Sequence, residues 1–207
     1  MLDKTHRDNV TAFPGNPTAK IAGVSGLAQY GIQPDATPLM AELVATLQDA
    51  LNTCTGHGAA AAAKAALRGY VCDAALLAPV HKQGDTENYK RHLLYAAPDG
   101  SCTVLALVWL PGQVTPIHGH TAWGAVGVYE GNPFCENFDV SYNDNGAMGL
   151  RSKVKMRLQS GDLSTVRPGI DDVHRIGNDT QRRAITIHVY GRDLVAEPSS
   201  LNIVFGQ

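Results

Sequence analysis

Apolar residues recur at helical spacing early in the chain and at strand spacing later. Between Pro38 and Thr53, Leu39, Leu43, Leu47 and Leu51 return at every fourth position, which stacks side chains along one face of a helix. Thr37 ahead of Pro38 supplies a hydroxyl N-cap and a first-turn proline whose missing N–H costs nothing. The stretch GAAAAAKAALR from Gly58 to Arg68 is dense in the best helix former and predicts a second helix, with a shorter one expected over Asp73–Ala78.

Beyond Gly84 the pattern shortens. CTVLALVWL (102–110), WGAVGVYE (123–130), KVKMRL (153–158), DLSTV (162–166), RAITIHVYG (183–191) and LNIVF (201–205) are β-branched or aromatic runs set off by Gly, Pro, Asn or Asp. Helices first and closely spaced strands afterwards predict a mostly β fold, a jelly-roll barrel with an N-terminal helical cap. One domain is expected over 1–207, with an arm and helices over about 1–80 and the barrel over about 85–207. Pattern does not decide whether residues 1 to 34 are ordered.

Composition narrows the function. A length of 207 residues with 44% hydrophobic positions suffices for one core. A formal net charge of -2 offers no basic field for nucleic acid or an anionic membrane. No apolar run is long enough to cross a bilayer, and MLDKTHRDNV lacks the apolar core of a secretory signal, so a cytoplasmic protein is expected, a monomer or weak homo-oligomer. The four cysteines, Cys54, Cys72, Cys102 and Cys135, form no C-x-x-C pair and are expected to be reduced and mostly buried.

The chemistry gathers around histidines. On a strand, His118 and His120 project from one face, so two imidazoles enter one interior together. A third, His174, follows the Pro168-Gly169 turn and precedes Asn178 on what would be a neighbouring strand. Imidazole suits iron, zinc, copper or nickel, so the ligand set alone does not choose the metal. Thr186, His188 and Tyr190 alternate on another strand and share a face, a hydroxyl, imidazole and phenol in line for a hydrogen-bond relay ending at Tyr190. Ile185, Ile187 and Val189 take the opposite face. His6, His57 and His81 are expected to be ordinary core or surface residues, and His92 to line the pocket or face solvent. Trp109 and Trp123 are expected to pack the barrel, and Asp171 and Asp172 to be turn residues.

The two histidine stretches resemble the paired motifs of the cupins, except that Gly124 stands where cupins usually carry a glutamate ligand. Three neutral imidazoles would leave a divalent metal its full charge and favour anionic ligands. Taken with YKRHLLY, PGQVTPIHGH, VHRIGN and TIHVYG, the chain from about Tyr89 through Arg192 is similar to the thiol dioxygenases, the cysteine dioxygenase and 3-mercaptopropionate dioxygenase family. The resemblance implies one Fe(II) per chain on His118, His120 and His174, dioxygen and a small thiol acid as substrates, and a sulfinic acid product. It further implies that Tyr190 sits over the substrate with His188 and Thr186 behind it, and that Arg91 pairs with the substrate carboxylate. Arg91 fits the cysteine branch, whereas TPIHGHTAWGAVGV reads more like the mercaptopropionate branch. Mercaptosuccinate stays open because Arg192 offers a second cation. Gly124 and Ala125 carry no sulfur, so Tyr190 is expected to be unmodified. The rival readings are another metal-dependent cupin enzyme and a non-catalytic small-molecule-binding cupin.

Overall fold

The computed structural model describes residues 21–22, 30–54, 57–146, 148–199 and 201–205. Helix α1 (Pro38–Asn52) starts as the sequence predicts, with Thr37 Oγ1 accepting the Met40 N–H. Its buried face is Met40, Leu43, Val44 and Leu47, while Leu39 and Leu51 are only partly covered. Helix α2 (His57–Arg68) buries Ala63, Ala66 and Leu67 beside it. The helix expected over Asp73–Ala78 does not form. Asp73 instead closes turns, its carboxylate accepting from Ala75 N and its carbonyl from Leu76 N, and a single 3-10 turn follows at Pro79–Lys82.

Twelve strands follow the chain among the described residues: β1 (Ile21–Ala22), β2 (Gly31–Ile32), β3 (Lys90–Ala96), β4 (Thr103–Trp109), β5 (His118–His120), β6 (Gly124–Glu130), β7 (Phe134–Tyr142), β8 (Met148–Arg157), β9 (Leu163–Val166), β10 (Gly169–Gly177), β11 (Ala184–Tyr190) and β12 (Asn202–Val204). Strands β3 and β7 lie outside the runs expected from pattern. One sheet runs β1-β3-β4-β11-β6-β9, with β2 also paired to β3, and the other runs β12-β5-β10-β7-β8. Pairing within both sheets is antiparallel apart from β1 against β3.

The alternation on β4 and β11 separates two cores. Val104, Ala106, Val108, Ile185, Ile187 and Val189 face the helices, and Leu105, Leu107, Trp109 and Tyr190 face the space between the sheets. Strands buried on both faces read as continuous apolar runs. Neither Asp171 nor Asp172 is a turn residue. Both lie on β10, and Asp172 is bound by the Arg167 backbone N–H and guanidinium. No described helix is long and apolar enough to cross a membrane.

Candidate metal centre

Strand β5 is only three residues long, and it is pinned on both sides. His118 pairs with His174 of β10 and with Val204 of β12, and His120 pairs with Gly169 and Asn202. Gly119 makes this possible, because a Cβ there would lie 2.6 Å from the Gly169 carbonyl oxygen. The three imidazoles converge, with ring centroids 4.7–5.1 Å apart and one candidate ligand atom from each within 4.8 Å of the others.

Burial comes first for all three rings in keeping this cluster uncharged, aided by the neighbouring imidazoles at His120 and His174 and by Arg91 at His118. His118 is held down to about 4 and His174 to about 3, and His120 lies far below the usual histidine range. Neutral imidazole is the form that binds a metal. The orientation of two rings is fixed from behind. His118 Nδ1 donates to the Pro116 carbonyl at 3.0 Å, leaving Nε2 with a lone pair. His174 Nδ1 has the Cys135 sulfur at 3.7 Å, and Cys135 in turn donates to Asn137 Oδ1. Nδ1 of His120 is buried with no hydrogen-bond partner among the described residues. Three neutral nitrogen donors brought within 4.8 Å of one another fit a divalent cation.

Across the gap, β3 and β11 present the other half. Thr186 Oγ1 lies 2.7 Å from His188 Nε2, and His188 Nδ1 lies 2.8 Å from the Tyr190 hydroxyl. The Tyr190 ring lies over His120 at 5.8 Å. Burial holds His188 down to about 3 and pushes the Tyr190 phenol up, so the row is a chain of neutral groups. Arg91 is 8% exposed, neither solvent-facing nor in a surface ion pair, and its Nε has no hydrogen-bond partner among the described residues. These groups enclose a cavity of about 130 Å³ lined by Arg91, His118, His174, His188 and Tyr190 among others. That is well below the ~300–1,000 Å³ of pockets for drug-sized ligands, so it suits a small molecule.

Gly124 pairs with Tyr190 in the ladder, and a Cβ on it would meet the Tyr190 ring at 2.7 Å and Val166 at 2.8 Å. The tyrosine ring therefore occupies the space into which a carboxylate ligand at position 124 would project. The absence of a carboxylate at position 124 and the placement of Tyr190 are two aspects of one packing choice.

Other sequence expectations resolve differently. His92 neither lines the cavity nor faces solvent; it is buried, hydrogen-bonded to the Gln83 carbonyl and edge-on to His81. The Arg192 side chain is ion-paired to Glu197, 37% exposed, and absent from the cavity wall. All four cysteines are free, but only Cys102 is fully buried, and Cys72 is exposed. His6 lies outside the described residues, as does the side chain of His57. The sequence reading missed two roles. Trp109 packs as expected, yet its Nε1 also donates to Thr186 Oγ1 at 2.9 Å. Asn178 clamps the end of β4, its amide donating to the carbonyls of Trp109 and Arg182. The available signal for the first was a tryptophan inside an apolar run, since a buried indole N–H needs an acceptor.

The class that these features define is a β-sheet protein with a candidate three-histidine metal centre facing a polar relay. No family model matches the chain. Among solved structures it is similar to an uncharacterized conserved protein with a double-stranded β-helix domain from Klebsiella pneumoniae, at 14% identity and a TM-score of 0.46, over 65% of this chain and 100% of that one. It is also similar to a cupin 2 conserved barrel domain protein from Rhodopseudomonas palustris (20% identity, TM-score 0.38, 54% and 70% covered). Lactobacillus farciminis oxalate decarboxylase in a formate complex is a further likeness (16% identity, TM-score 0.36, 51% and 27% covered).

Proposed function

We propose that this chain is a cupin-type, iron-dependent thiol dioxygenase that converts a small thiol carboxylate, L-cysteine or 3-mercaptopropionate, to its sulfinic acid. The observation that carries this reading is the opposition of three neutral histidines on one sheet to a buried, unpaired arginine nitrogen and a tyrosine hydroxyl on the other. Iron(II) held by His118, His120 and His174 would supply a seat for the thiolate and the redox chemistry that dioxygen requires.

The rest falls to the chain. Arg91 offers a planar, permanently charged fork to the carboxylate, and its buried Nε is the atom in need of an acceptor. With the carboxylate held there, the thiol end of a short acid reaches toward the histidines across the cavity. The apolar lining from Leu105, Leu107, Val166 and Ile176 thins out water around the sulfur. Tyr190 holds its hydroxyl at the cavity wall to hydrogen-bond the oxygen being transferred. In the overall reaction the O–O bond breaks, both atoms end on sulfur, and the electrons lost by sulfur reduce the dioxygen, so no external reductant is needed.

Among the described residues Arg91 is the one cation that lines the cavity, which favours substrates with one carboxylate. Mercaptosuccinate needs a second, and Arg192 is engaged by Glu197 outside the cavity. Oxygen uptake by iron-loaded protein on cysteine, 3-mercaptopropionate, mercaptosuccinate and cysteamine tests this. Uptake is expected with one or both of the first two and little with the others. Uptake with none of the four contradicts the reading. Tyr190→Phe is expected to keep the iron and lower turnover by about tenfold, the cost of one hydrogen bond of ~1.5 kcal/mol.

A further inference from the structure

The relay on β11 has a direction, and the direction is set at the end away from the cavity. Trp109 Nε1 is a donor and never an acceptor, and it stands 2.9 Å from Thr186 Oγ1. Contacts of 2.7 Å to His188 Nε2 and 2.8 Å to the Tyr190 oxygen complete the row, and all four side chains are buried. A neutral His188 has one N–H, so two arrangements of hydrogens are available.

In the first, Thr186 accepts from Trp109 and gives its own hydrogen to His188 Nε2. His188 then donates Nδ1–H to the Tyr190 oxygen, and the Tyr190 hydrogen is left for the cavity. Every donor within the row is used. In the second, Tyr190 donates to Nδ1 and His188 donates Nε2–H to Thr186, whose oxygen accepts twice. The Thr186 hydrogen then has no acceptor, because its hydroxyl has no partner among the described residues except His188 and the Trp109 N–H. A buried hydroxyl hydrogen without an acceptor is strongly avoided in folded proteins.

We infer that Trp109 is a positioning residue that fixes the polarity of the relay, so that His188 carries its hydrogen on Nδ1 and Tyr190 is a hydrogen-bond donor to the cavity. Its indole is itself held firmly. Tyr89 stacks on it at 4.6 Å and Asn178 ties its carbonyl. The ligand that suits this end of the cavity is an acceptor, an oxygen or anionic atom. His188 does not act as a base toward Tyr190, because the nitrogen facing the phenol already bears a hydrogen.

The tautomer is read directly by nitrogen-15 NMR on histidine-labelled full-length chain, metal-free and again with diamagnetic zinc bound. The His188 signals are identified by their loss in His188→Asn. The account expects a protonated Nδ1 and a bare Nε2 in both forms. A protonated Nε2 overturns it. Trp109→Phe leaves room beside Thr186 for a water, which can accept the hydroxyl hydrogen and relieve the penalty on the reverse arrangement. Both His188 nitrogens are then expected to move toward intermediate shifts, while Thr186→Ser leaves them unchanged. An unaltered Nδ1–H tautomer in Trp109→Phe removes Trp109 from the role. Should Trp109→Phe not fold, Trp109→Leu removes the same N–H donor, and retention of a single tautomer there counts equally against the proposal. The readout needs no turnover, so a protonated Nδ1 in a protein that oxidises no thiol leaves the polarity standing and defeats only the proposed reaction.

Discussion

The two inward faces of this fold are both polar, yet they handle their hydrogen bonds in opposite ways. On the sheet of β5 and β10, three imidazoles turn toward one another, and burial above all denies them protons. One nitrogen of His120 has no hydrogen-bond partner among the described residues. On β4 and β11, by contrast, Trp109, Thr186, His188 and Tyr190 satisfy one another in a continuous row. The first arrangement is costly until a cation arrives, and the second is complete except at the tip that meets the cavity. A metal site and a relay are thus distinguishable by what they leave unsatisfied.

Removing the histidines should break the first face most severely. His118→Ala or His174→Ala is expected to lower metal content to background after dialysis, a larger loss than the ~10- to 100-fold that an outer partner's removal costs. Retention of stoichiometric metal would assign the cluster a packing role.

Acid should act on the same face through several groups at once. His118 and His174 titrate near 4 and 3 in the folded chain, against the ordinary 6.5 for an unfolded one. The unfolded state therefore binds more protons below pH 6.5, so metal-free protein should lose thermal stability as pH falls from 6.5 toward 4, with little change from this source above 6.5. A melting temperature flat across that window contradicts the burial of neutral rings.

The opposite face should respond without losing metal. Arg91→Gln is expected to raise KM for a thiol carboxylate by roughly 10- to 100-fold, the value of a charge-assisted bond of about 1.5–3 kcal/mol. The low oxygen uptake with cysteamine, which has no carboxylate, should fall no further. The smallest effect is expected beside Tyr190, on the neighbouring strand β6. Gly124→Ala places a methyl 2.7 Å from the Tyr190 ring, and the overpacking should cost ~1–3 kcal/mol in denaturant unfolding with metal retained.

The sequence made one face more legible than the other. Period-two spacing put His118 with His120 and Thr186 with His188 and Tyr190, and the Thr37-Pro38 cap located α1. These are local signals. What pattern could not show depends on contacts between distant segments. Trp109 reads as packing until Thr186, two strand positions out of register with it, is brought within hydrogen-bonding distance. Strand β7 alternates a phenylalanine, a cysteine and charged residues, and its Glu136 is buried only because Arg175 and Ser152 satisfy it across the sheet. Asp171 and Asp172 look like turn residues, but Arg167 holds Asp172 on β10. The cost of any side chain at Gly124 likewise becomes visible only once Tyr190 is seen beside it.

The most direct test of the central claim is the fate of labelled dioxygen. Iron-loaded protein supplied with cysteine or 3-mercaptopropionate under oxygen-18 gas should give a sulfinic acid in which both sulfinate oxygens are heavy, as read by mass spectrometry of the product. A disulfide product, a sulfinate with one oxygen drawn from water, or no product from either thiol would contradict a three-histidine centre that delivers both atoms of dioxygen to sulfur.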